Sequence, residues 1–284
     1  MATVPITEEQ TSRYVQAGPI KVHYNDIGEG EPLIFCEGQG PGTSAWVVYH
    51  RVVPILSQHF RCLLLDQPGY GKSDTVTVKG ESRSSMYART MCDFMDALGI
   101  EKATPVDMSF GGETALVFGV ENPHRVNKIV LHASGMAGAT LFGHMPTEGM
   151  KAMNDAFANP TLATMRKMMN AFLYNGATYS DEDLMLQQRL DAWLARPEQD
   201  KARKESDAVR RDLTNDLNKI KVPVLQLRGR NDLVSSLEGS MRLLNYLEDS
   251  RLVIFNRCGH WAPIERPREF SRLVIDFVKH GHER

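Results

Sequence analysis

The chain has 284 residues and a formal net charge of −2 at pH 7, with 42% hydrophobic and 24% charged residues. These values are typical of a globular protein that is long enough for one large core and a sizeable insertion. Because there is no block of lysine and arginine, the composition gives no reason to expect nucleic acid or an anionic membrane as a partner.

Short β-branched segments alternate with helical ones along most of the chain. Residues 20–27 alternate in polarity, which predicts a half-exposed antiparallel strand at a sheet edge. Mostly apolar runs, as expected of strands buried on both faces, follow at 32–36, 61–65, 103–106, 128–131, 222–227 and 251–255. Helical stretches lie between them, notably at 85–98 and 113–121. Strand alternating with helix predicts the α/β class, with a mostly parallel sheet covered on both faces.

The alternation stops near residue 135 and resumes near residue 222. The intervening segment has no strand signal, and Ser-x-x-Asp at 180–183 resembles a capping box that opens a helix through Ala195. A helical block inserted into a parallel sheet is most simply a cap over the ends of the strands, where it would roof a pocket. We therefore divide the chain into core residues 1–135, a helical cap at 136–220 and core residues 221–284.

Ser109 is the first candidate catalytic residue. It lies in Val-Asp-Met-Ser-Phe-Gly-Gly, residues 106–112, between a buried strand and a helix. A sharp turn there exposes the serine oxygen and aims the next backbone N–H at a developing oxyanion. The segment resembles the pattern G-x-S-x-G, with Asp107 in the first glycine position. Taken alone, it also fits a serine that only caps the helix.

Asp232 and His260 each follow a different buried strand. A histidine in such a loop is well placed as a general base, although either residue alone also fits a structural turn. Serine, then acid, then histidine, each just beyond a strand, is the chain order typical of α/β-hydrolases. Because three unrelated turns rarely coincide in this way, the conjunction favours a catalytic triad of Ser109, Asp232 and His260 on an α/β-hydrolase fold.

A glycine-rich segment, Glu-Gly-Gln-Gly-Pro-Gly, occupies residues 37–42 after the first core strand. Glycine lets the backbone approach a ligand closely, and an N–H of this loop can complete an oxyanion hole. We expect the N–H groups of Gln39 and Phe110 to form that hole. A plain glycine turn is the alternative.

Arg189 is the most informative residue of the helical block. Its neighbours at helical spacing are apolar, with Met185 and Leu186 before it and Trp193 after it, and no carboxylate occupies such a position. A guanidinium on an apolar stripe is costly unless it finds a partner. A substrate carboxylate, gripped through two hydrogen bonds, is one such partner. A salt bridge between cap and core, or extension of the side chain to water, are the alternatives.

The four cysteines, Cys36, Cys62, Cys92 and Cys258, show neither C-x-x-C spacing nor a paired framework. We interpret them as reduced thiols of a cytoplasmic protein. The first ten residues lack the features of a signal peptide. No apolar stretch approaches the length of about 20 residues that a membrane helix needs. No cluster of histidine and cysteine has the spacing of a metal site, so no metal is expected.

Together these motifs resemble the meta-cleavage product hydrolases, which are carbon–carbon bond hydrolases of bacterial aromatic degradation. The resemblance covers most of the chain and is strongest at 258–262, Cys-Gly-His-Trp-Ala, through Glu265 and on to 270–277. Gly-Arg-x-Asp at 229–232 matches too. Residues 66–74 and 91–107 are also similar. Leu-Gln-x-Arg at 186–189 resembles the segment whose arginine binds the dienoate carboxylate.

The resemblance implies a substrate of the 2-hydroxy-6-oxo-hexa-2,4-dienoate type, the ring-opening product of an extradiol dioxygenase. His260, held by Asp232, would assist ketonisation of the dienol, and Ser109 or a water that it activates would add to the C6 carbonyl. No cofactor is implied, and homo-oligomers, dimers or larger, are common in the family. Besides Arg189, the implied substrate-binding residues are Trp261, Phe110, Gly38, Gly40, Met108 and Val48.

The chain departs from the family pattern at the dienoate end of the site. The family usually has His-Gly-Gly-Gly-Pro-Gly where this chain begins with Glu37, and Gly-Asn where it has Asp107 and Met108. A second asparagine of the family corresponds to Val48. Methionine and valine cannot supply the donor and acceptor of an amide. These changes weaken the substrate assignment and leave the fold and the triad intact.

Three functions are compatible with these features of the sequence. A meta-cleavage product hydrolase with an unusual substrate is favoured. A carboxylesterase or lactonase on the same scaffold, with Arg189 holding a different anion, gains from the two missing asparagines. A ligand receptor without catalysis is disfavoured by the complete triad.

Overall fold

The computed structural model describes residues 6–134, 145–209 and 211–282. Within these residues, eight strands form one sheet. The strands are β1 (Ser12–Ala17), β2 (Ile20–Ile27), β3 (Pro32–Cys36), β4 (Arg61–Leu65), β5 (Thr104–Met108), β6 (Ile129–His132), β7 (Val224–Gly229) and β8 (Ser250–Phe255). Their order across the sheet is β1-β2-β4-β3-β5-β6-β7-β8.

The pairing of the strands confirms the predicted α/β class. From β4 through β3 to β8 all neighbours run parallel, whereas β2 pairs antiparallel with both β1 and β4. Residues 20–27 form the predicted antiparallel strand. The prediction that this strand lies half-exposed at the sheet edge was wrong, because β1 pairs with residues 20–25 and most residues of β2 are buried. Three of the six residues of β1 are polar (Ser12, Arg13 and Gln16), so its strand signal was too weak to be predicted.

Helices cover both faces of the sheet. The core helices are α1 (Glu8–Thr11), α2 (Ala45–Tyr49), α3 (Val53–Leu56), α4 (Arg83–Ala97) and α5 (Phe110–Glu121). Between β6 and β7 lie α6 (Glu148–Ala158), α7 (Leu162–Phe172), α8 (Leu186–Leu194) and α9 (Pro197–Glu205). They are followed by α10 (Leu237–Tyr246), α11 (Ala262–Glu265) and α12 (Pro267–His280).

The segment between β6 and β7 is helical, and its described residues contain no strand. The predicted boundary at 135/136 lies outside the described residues. The helix expected to open at Ser180 begins only at Leu186. The Ser180 N–H donates to Asp183 Oδ2 at 3.0 Å and the Asp183 N–H to Ser180 Oγ at 3.0 Å, as in a capping box. However, Met185 has φ 52°, so the chain turns there before the helix starts.

Two apolar clusters lie on opposite faces of the sheet. Alternate residues of β3 divide between them, with Phe35 in one cluster and Ile34 in the other, as the two-residue period of a strand requires. Met168 and Met169 of α7 belong to the first cluster. The helical segment between β6 and β7 is therefore packed into the same core as the sheet.

Candidate active site

Ser109 lies in the sharp turn between β5 and α5. Its backbone has φ 54° and ψ −113°, a conformation that costs a non-glycine residue about 1–3 kcal/mol and is concentrated at functional sites. Two hydrogen bonds hold the turn. The Ser109 N–H donates to the His132 carbonyl at 2.8 Å, and Ser134 Oγ donates to the Ser109 carbonyl at 2.6 Å. The Ser109 side chain makes no capping hydrogen bond to α5, contrary to the alternative of a plain helix cap.

The loop at 37–42 lies directly against Ser109. A Cβ added to Gly38 would lie 2.9 Å from Ser109 Cβ and 3.3 Å from the Met108 carbonyl oxygen. Carbon atoms do not approach so closely, so any other residue at this position would push the loop away from the serine. The glycine therefore sets how near the following residue, Gln39, comes to Ser109.

His260 and Asp232 form a buried pair. His260 Nδ1 lies 2.8 Å from Asp232 Oδ2, and Asp232 Oδ1 accepts the N–H groups of Val234 at 2.7 Å and Ser235 at 3.1 Å. Burial by itself would raise the pKa of Asp232, but His260, Arg228 and these hydrogen bonds outweigh it and hold the pKa below its usual range. An ionised carboxylate at Nδ1 keeps the proton there and leaves Nε2 as the acceptor that a general base needs.

Ser109 and His260 line the same cavity, which has a volume of about 280 Å³. Gln39 and Phe110, the predicted oxyanion-hole residues, also line it. Part of the wall comes from Phe172 of α7 and from α6 in the helical segment. The three-dimensional structure thus brings a serine, a histidine paired with a carboxylate, and two candidate amide donors around one space.

The other residues predicted to bind substrate do not line this cavity, although Gly38 packs against Ser109. Arg189, Trp261, Met108 and Val48 are each at most 2% exposed. None of them is among the described residues that line the cavity of Ser109, and the same holds for Gly38 and Gly40. Contact between these residues and a substrate would therefore require the ligand to reach deeper than this cavity.

Arg189 is a buried cation without a carboxylate partner among the described residues. Its Nη1 lies 3.0 Å from Met169 Sδ, its Nη2 donates to the Pro41 carbonyl at 3.3 Å, and its Nε has no partner there. Neither alternative from the sequence is observed, since Arg189 makes no cap–core salt bridge with any described residue and its side chain does not reach water. Burial lowers its pKa to about 10. The guanidinium is thus desolvated and poorly compensated.

The two unusual carboxyl groups point at backbone amides. Asp107 Oδ1 accepts the Cys36 N–H at 2.9 Å, next to the place where Pro105 has no N–H for the β3–β5 ladder. Glu37 Oε1 accepts the Gln67 N–H at 3.0 Å. Burial raises the pKa of both carboxyl groups well above the usual range. Both groups hold the ends of neighbouring strands together, and neither lines the cavity of Ser109.

Sequence reasoning missed two buried groups beside the pair of His260 and Asp232. Arg228 of β7 lines the cavity, with its Nη2 3.7 Å from Asp232 Oδ2. His132 of β6 accepts the Ala262 N–H at 3.1 Å on Nε2, and its pKa is lowered well below the usual range by burial and by the charge of His260. The one available signal was the charge of Arg228 near the end of a mostly apolar strand.

The described residues contain no group of three or more histidine, cysteine, aspartate or glutamate side chains placed to hold a metal ion. The four cysteines are all unpaired, and Cys36, Cys62 and Cys258 are buried. No helix in the described part of the chain is long and apolar enough to cross a membrane.

The fold and the site together define a hydrolase of the α/β type. Residues 31–267 match the family model described as alpha/beta hydrolase fold, and the chain belongs to this family. Two relatives have names that state their reactions. One is a 2-hydroxy-6-oxononadienedioate/2-hydroxy-6-oxononatrienedioate hydrolase of Pseudomonas putida, 38% identical over 98% of this chain and 100% of its own. The other is a 2-hydroxy-6-oxo-6-phenylhexa-2,4-dienoate hydrolase of Comamonas testosteroni, 38% identical over 96% and 98%.

A solved structure points to the same group. A meta-cleavage product hydrolase of Pseudomonas fluorescens IP01, in a complex with acetates, is 28% identical, covers 96% of this chain and 100% of its own, and has a TM-score of 0.82. Within the α/β-hydrolases, the protein is a member of the meta-cleavage product hydrolase family.

Proposed function

We propose that this protein hydrolyses a carbon–carbon bond of a 2-hydroxy-6-oxo-hexa-2,4-dienoate-type ring-fission product in aromatic degradation. The observation that carries the proposal is the buried guanidinium of Arg189, which has no carboxylate partner in the described residues. A substrate carboxylate would supply the missing charge and two hydrogen bonds. The names of the two relatives support the same substrate class.

In the proposed mechanism, His260 moves protons and Ser109 supplies the nucleophile. His260 first assists transfer of the proton of the 2-hydroxyl group to C5, which gives a 2,6-diketone. Ser109 Oγ, or a water that it activates, then adds to the C6 carbonyl while His260 Nε2 takes the proton. The N–H groups of Gln39 and Phe110 stabilise the resulting oxyanion. Asp232 stabilises the imidazolium that forms.

Bond cleavage follows from this order of steps. The C5–C6 bond breaks, and its electron pair is delocalised into the C2 carbonyl through the C3–C4 double bond. His260 returns a proton, so that 2-hydroxypenta-2,4-dienoate leaves. With Ser109 as nucleophile, the acyl-enzyme formed at Ser109 is hydrolysed by water to the carboxylic acid. Without prior ketonisation the leaving carbanion would lack this delocalisation, which is why the proton transfer comes first.

We propose that residues 136–220 act as a cap over the site. Three contacts of the described part of this segment support that role. Phe172 and Met150 lie on the wall of the Ser109 cavity, and Arg189 of α8 donates to Pro41 in the loop at 37–42. Movement of the cap would thus change both the cavity and the environment of Arg189.

A carboxylesterase or lactonase is the second candidate, and one observation favours it. Met108 and Val48 are buried apolar side chains at positions where the resembled family has asparagines. The dienoate end of the site therefore lacks two amides that could bind a polar substrate. A smaller anionic ester that makes fewer polar contacts would fit such a site.

We also propose a cytoplasmic homo-oligomer, dimer or larger, that needs no cofactor. The unpaired cysteines are consistent with a reducing compartment, and oligomers are expected from the family resemblance. Light scattering of the purified protein tests the oligomeric state, and a monomer at micromolar concentration would contradict it.

The test of the reaction is stopped-flow absorbance with a panel of yellow 2-hydroxy-6-oxo-dienoates that carry alkyl or aryl substituents. Wild type should bleach them rapidly, and Ser109→Ala should abolish the bleaching. Arg189→Gln should act mainly by raising KM, whereas the exposed Arg89→Gln, whose guanidinium pairs with Glu81, is the control and should behave as wild type. Ester turnover through Ser109 with no bleaching would establish the second candidate. Tight binding without any turnover would indicate a receptor.

A further inference from the structure

Arg228, near the end of β7, contacts the loop that carries Asp232 and, through Ser134, is linked to the turn that carries Ser109. Its Nη2 donates to the carbonyl groups of Ser235 at 2.5 Å and Ser236 at 2.6 Å, in the loop that follows Asp232. Its Nη1 lies 3.4 Å from the carbonyl oxygen of Ser134. Ser134 in turn donates from Oγ to the Ser109 carbonyl at 2.6 Å. One buried guanidinium thus connects the loop of the acid to the turn of the nucleophile.

Arg228 also acts on the charge of Asp232. Its Nη2 lies 3.7 Å from Asp232 Oδ2, and the same oxygen accepts from His260 Nδ1 at 2.8 Å. The side chains of Arg228 and Asp232 are only 1% and 2% exposed, so water screens their interaction little. Burying an arginine side chain is unfavourable, because the guanidinium loses its hydration. A packed apolar side chain at this position would avoid that cost.

We propose that Arg228 is a positioning residue of the triad. It holds the Asp232 loop against the Ser109 turn, and its positive charge reduces the stabilisation that Asp232 gives to the protonated imidazole of His260. The proposal rests on the proposed triad and is independent of whether the substrate is a dienoate or an ester. It assigns no contact between Arg228 and the substrate.

A positive charge beside Asp232 offsets part of the field that the carboxylate exerts on the imidazole ring, so the imidazolium of His260 is stabilised less. An imidazolium that is stabilised less gives up its proton more readily to the leaving group, which serves a reaction in which the same histidine first takes and then returns a proton.

Other titratable groups surround the pair of His260 and Asp232. Burial and the charge of His260 keep the pKa of His132 far below its usual range, so it is a neutral neighbour. Burial and Glu265 raise the pKa of Cys258, which keeps this thiol protonated. Glu113 lines the same cavity, and Glu265 accepts the N–H of the residue before His260. All four are unchanged when Arg228 alone is replaced, so a change in pH dependence reports on Arg228.

The experiment compares the pH profile of kcat/KM for wild type, Arg228→Gln, Arg228→Lys and Ser134→Ala. The substrate is the one that wild type turns over through Ser109, whether dienoate or ester. Loss of the charge in Arg228→Gln should move the acid limb about one unit to higher pH. Arg228→Lys keeps the charge but loses carbonyl contacts, so the limb should stay in place while kcat falls about tenfold. Ser134→Ala should lower kcat and leave the acid limb of the pH profile unmoved, because it removes the hydrogen bond to the Ser109 carbonyl without removing a charge.

An unmoved acid limb in Arg228→Gln would overturn the electrostatic role, because a merely structural residue would lower kcat without moving the limb. Circular dichroism shows whether each variant folds. If Arg228→Gln does not fold, Arg228→Lys decides the question, and a displaced limb or an unchanged kcat in that variant would contradict the proposal. If Ser109→Ala turned over substrate as fast as wild type, the proposed triad itself would be wrong.

Discussion

The guanidinium carbon of Arg189 lies 5.1 Å from the centre of the Trp261 ring. This contact joins α8 of the helical segment to the loop that follows β8. A cation over an indole face is stabilised by about 0.5–2 kcal/mol, which is less than the cost of desolvating a guanidinium. The remaining partners are a thioether and one carbonyl oxygen. An anionic ligand would therefore stabilise the buried guanidinium of Arg189.

Replacing Arg189 by methionine should stabilise the fold while impairing catalysis. The uncharged side chain of similar volume removes a buried, unpaired charge, so the free energy of unfolding should rise by about 1–3 kcal/mol. The KM for carboxylate substrates should rise at least about tenfold, which corresponds to about 1.4 kcal/mol. Urea unfolding and steady-state kinetics measure the two effects.

Arg61→Met is the matched control for that prediction. Arg61 is paired with Asp26 through its Nε at 3.0 Å and its Nη2 at 2.7 Å, so its loss should destabilise the protein without raising KM. If Arg189→Met destabilised the protein as Arg61→Met does, Arg189 would be a structural residue.

Gly42→Ala should displace the loop at 37–42 from α8. Gly42 has φ +62°, and a Cβ there would lie 1.9 Å from the Arg189 carbonyl oxygen. Gly80 has a similar φ of +65° with nothing within 4 Å of a Cβ, so Gly80→Ala isolates the backbone strain of about 1 kcal/mol. Gly42→Ala should lose clearly more stability and also raise KM. Equal Tm values for the two variants in thermal unfolding would show that a Cβ at residue 42 does not clash with the Arg189 carbonyl oxygen.

Asp232→Asn should lower kcat by about 10³–10⁴-fold while leaving the protein folded, because an amide favours the wrong tautomer of His260. Substrate binding to this variant should stay close to that of wild type. Single-turnover kinetics separates the two quantities. A fall of less than about tenfold would argue against Asp232 as the triad acid.

Asp107 should make stability decrease as pH rises. Burial raises the pKa of its carboxyl well above the usual range, although the hydrogen bonds from Cys36 oppose this. The folded chain then binds more protons than the unfolded chain. The stabilisation is complete below the unfolded pKa of about 3.9 and is lost as pH rises toward the folded pKa. One proton contributes at most about 1.4 kcal/mol per pH unit.

Asp107→Asn tests this dependence, because asparagine keeps an oxygen for the Cys36 N–H and does not titrate. The stability advantage of Asp107→Asn over wild type should grow between about pH 5 and pH 8 in urea unfolding. The exposed Asp155→Asn serves as control and should show no such trend. A constant difference across the range would mean that Asp107 is ionised in the folded protein.

The strands and the candidate triad could be predicted from local patterns. Buried parallel strands are continuous apolar runs, so β3 and β4 were predicted with the observed bounds. Ser109, Asp232 and His260 each follow such a run, which places them at one edge of the sheet before any contact is known. β1 was not predicted, because an edge strand in which half of the residues are polar has no distinctive pattern. The late start of α8 was not predicted, because the left-handed backbone of Met185 cannot be recognised from composition.

The sequence by itself determined the fold class, the chain order of the catalytic candidates and the isolation of Arg189 from carboxylates on its own helix. Only the tertiary structure decided what surrounds the buried charges. Pro41, Met169 and Trp261, which contact Arg189, come from three distant segments. The link from Arg228 to Asp232 likewise exists only once β7 and the loop after it are folded together. The physical reason is that strand and helix patterns are local, whereas the environment of a buried charge is made by residues far apart in the chain.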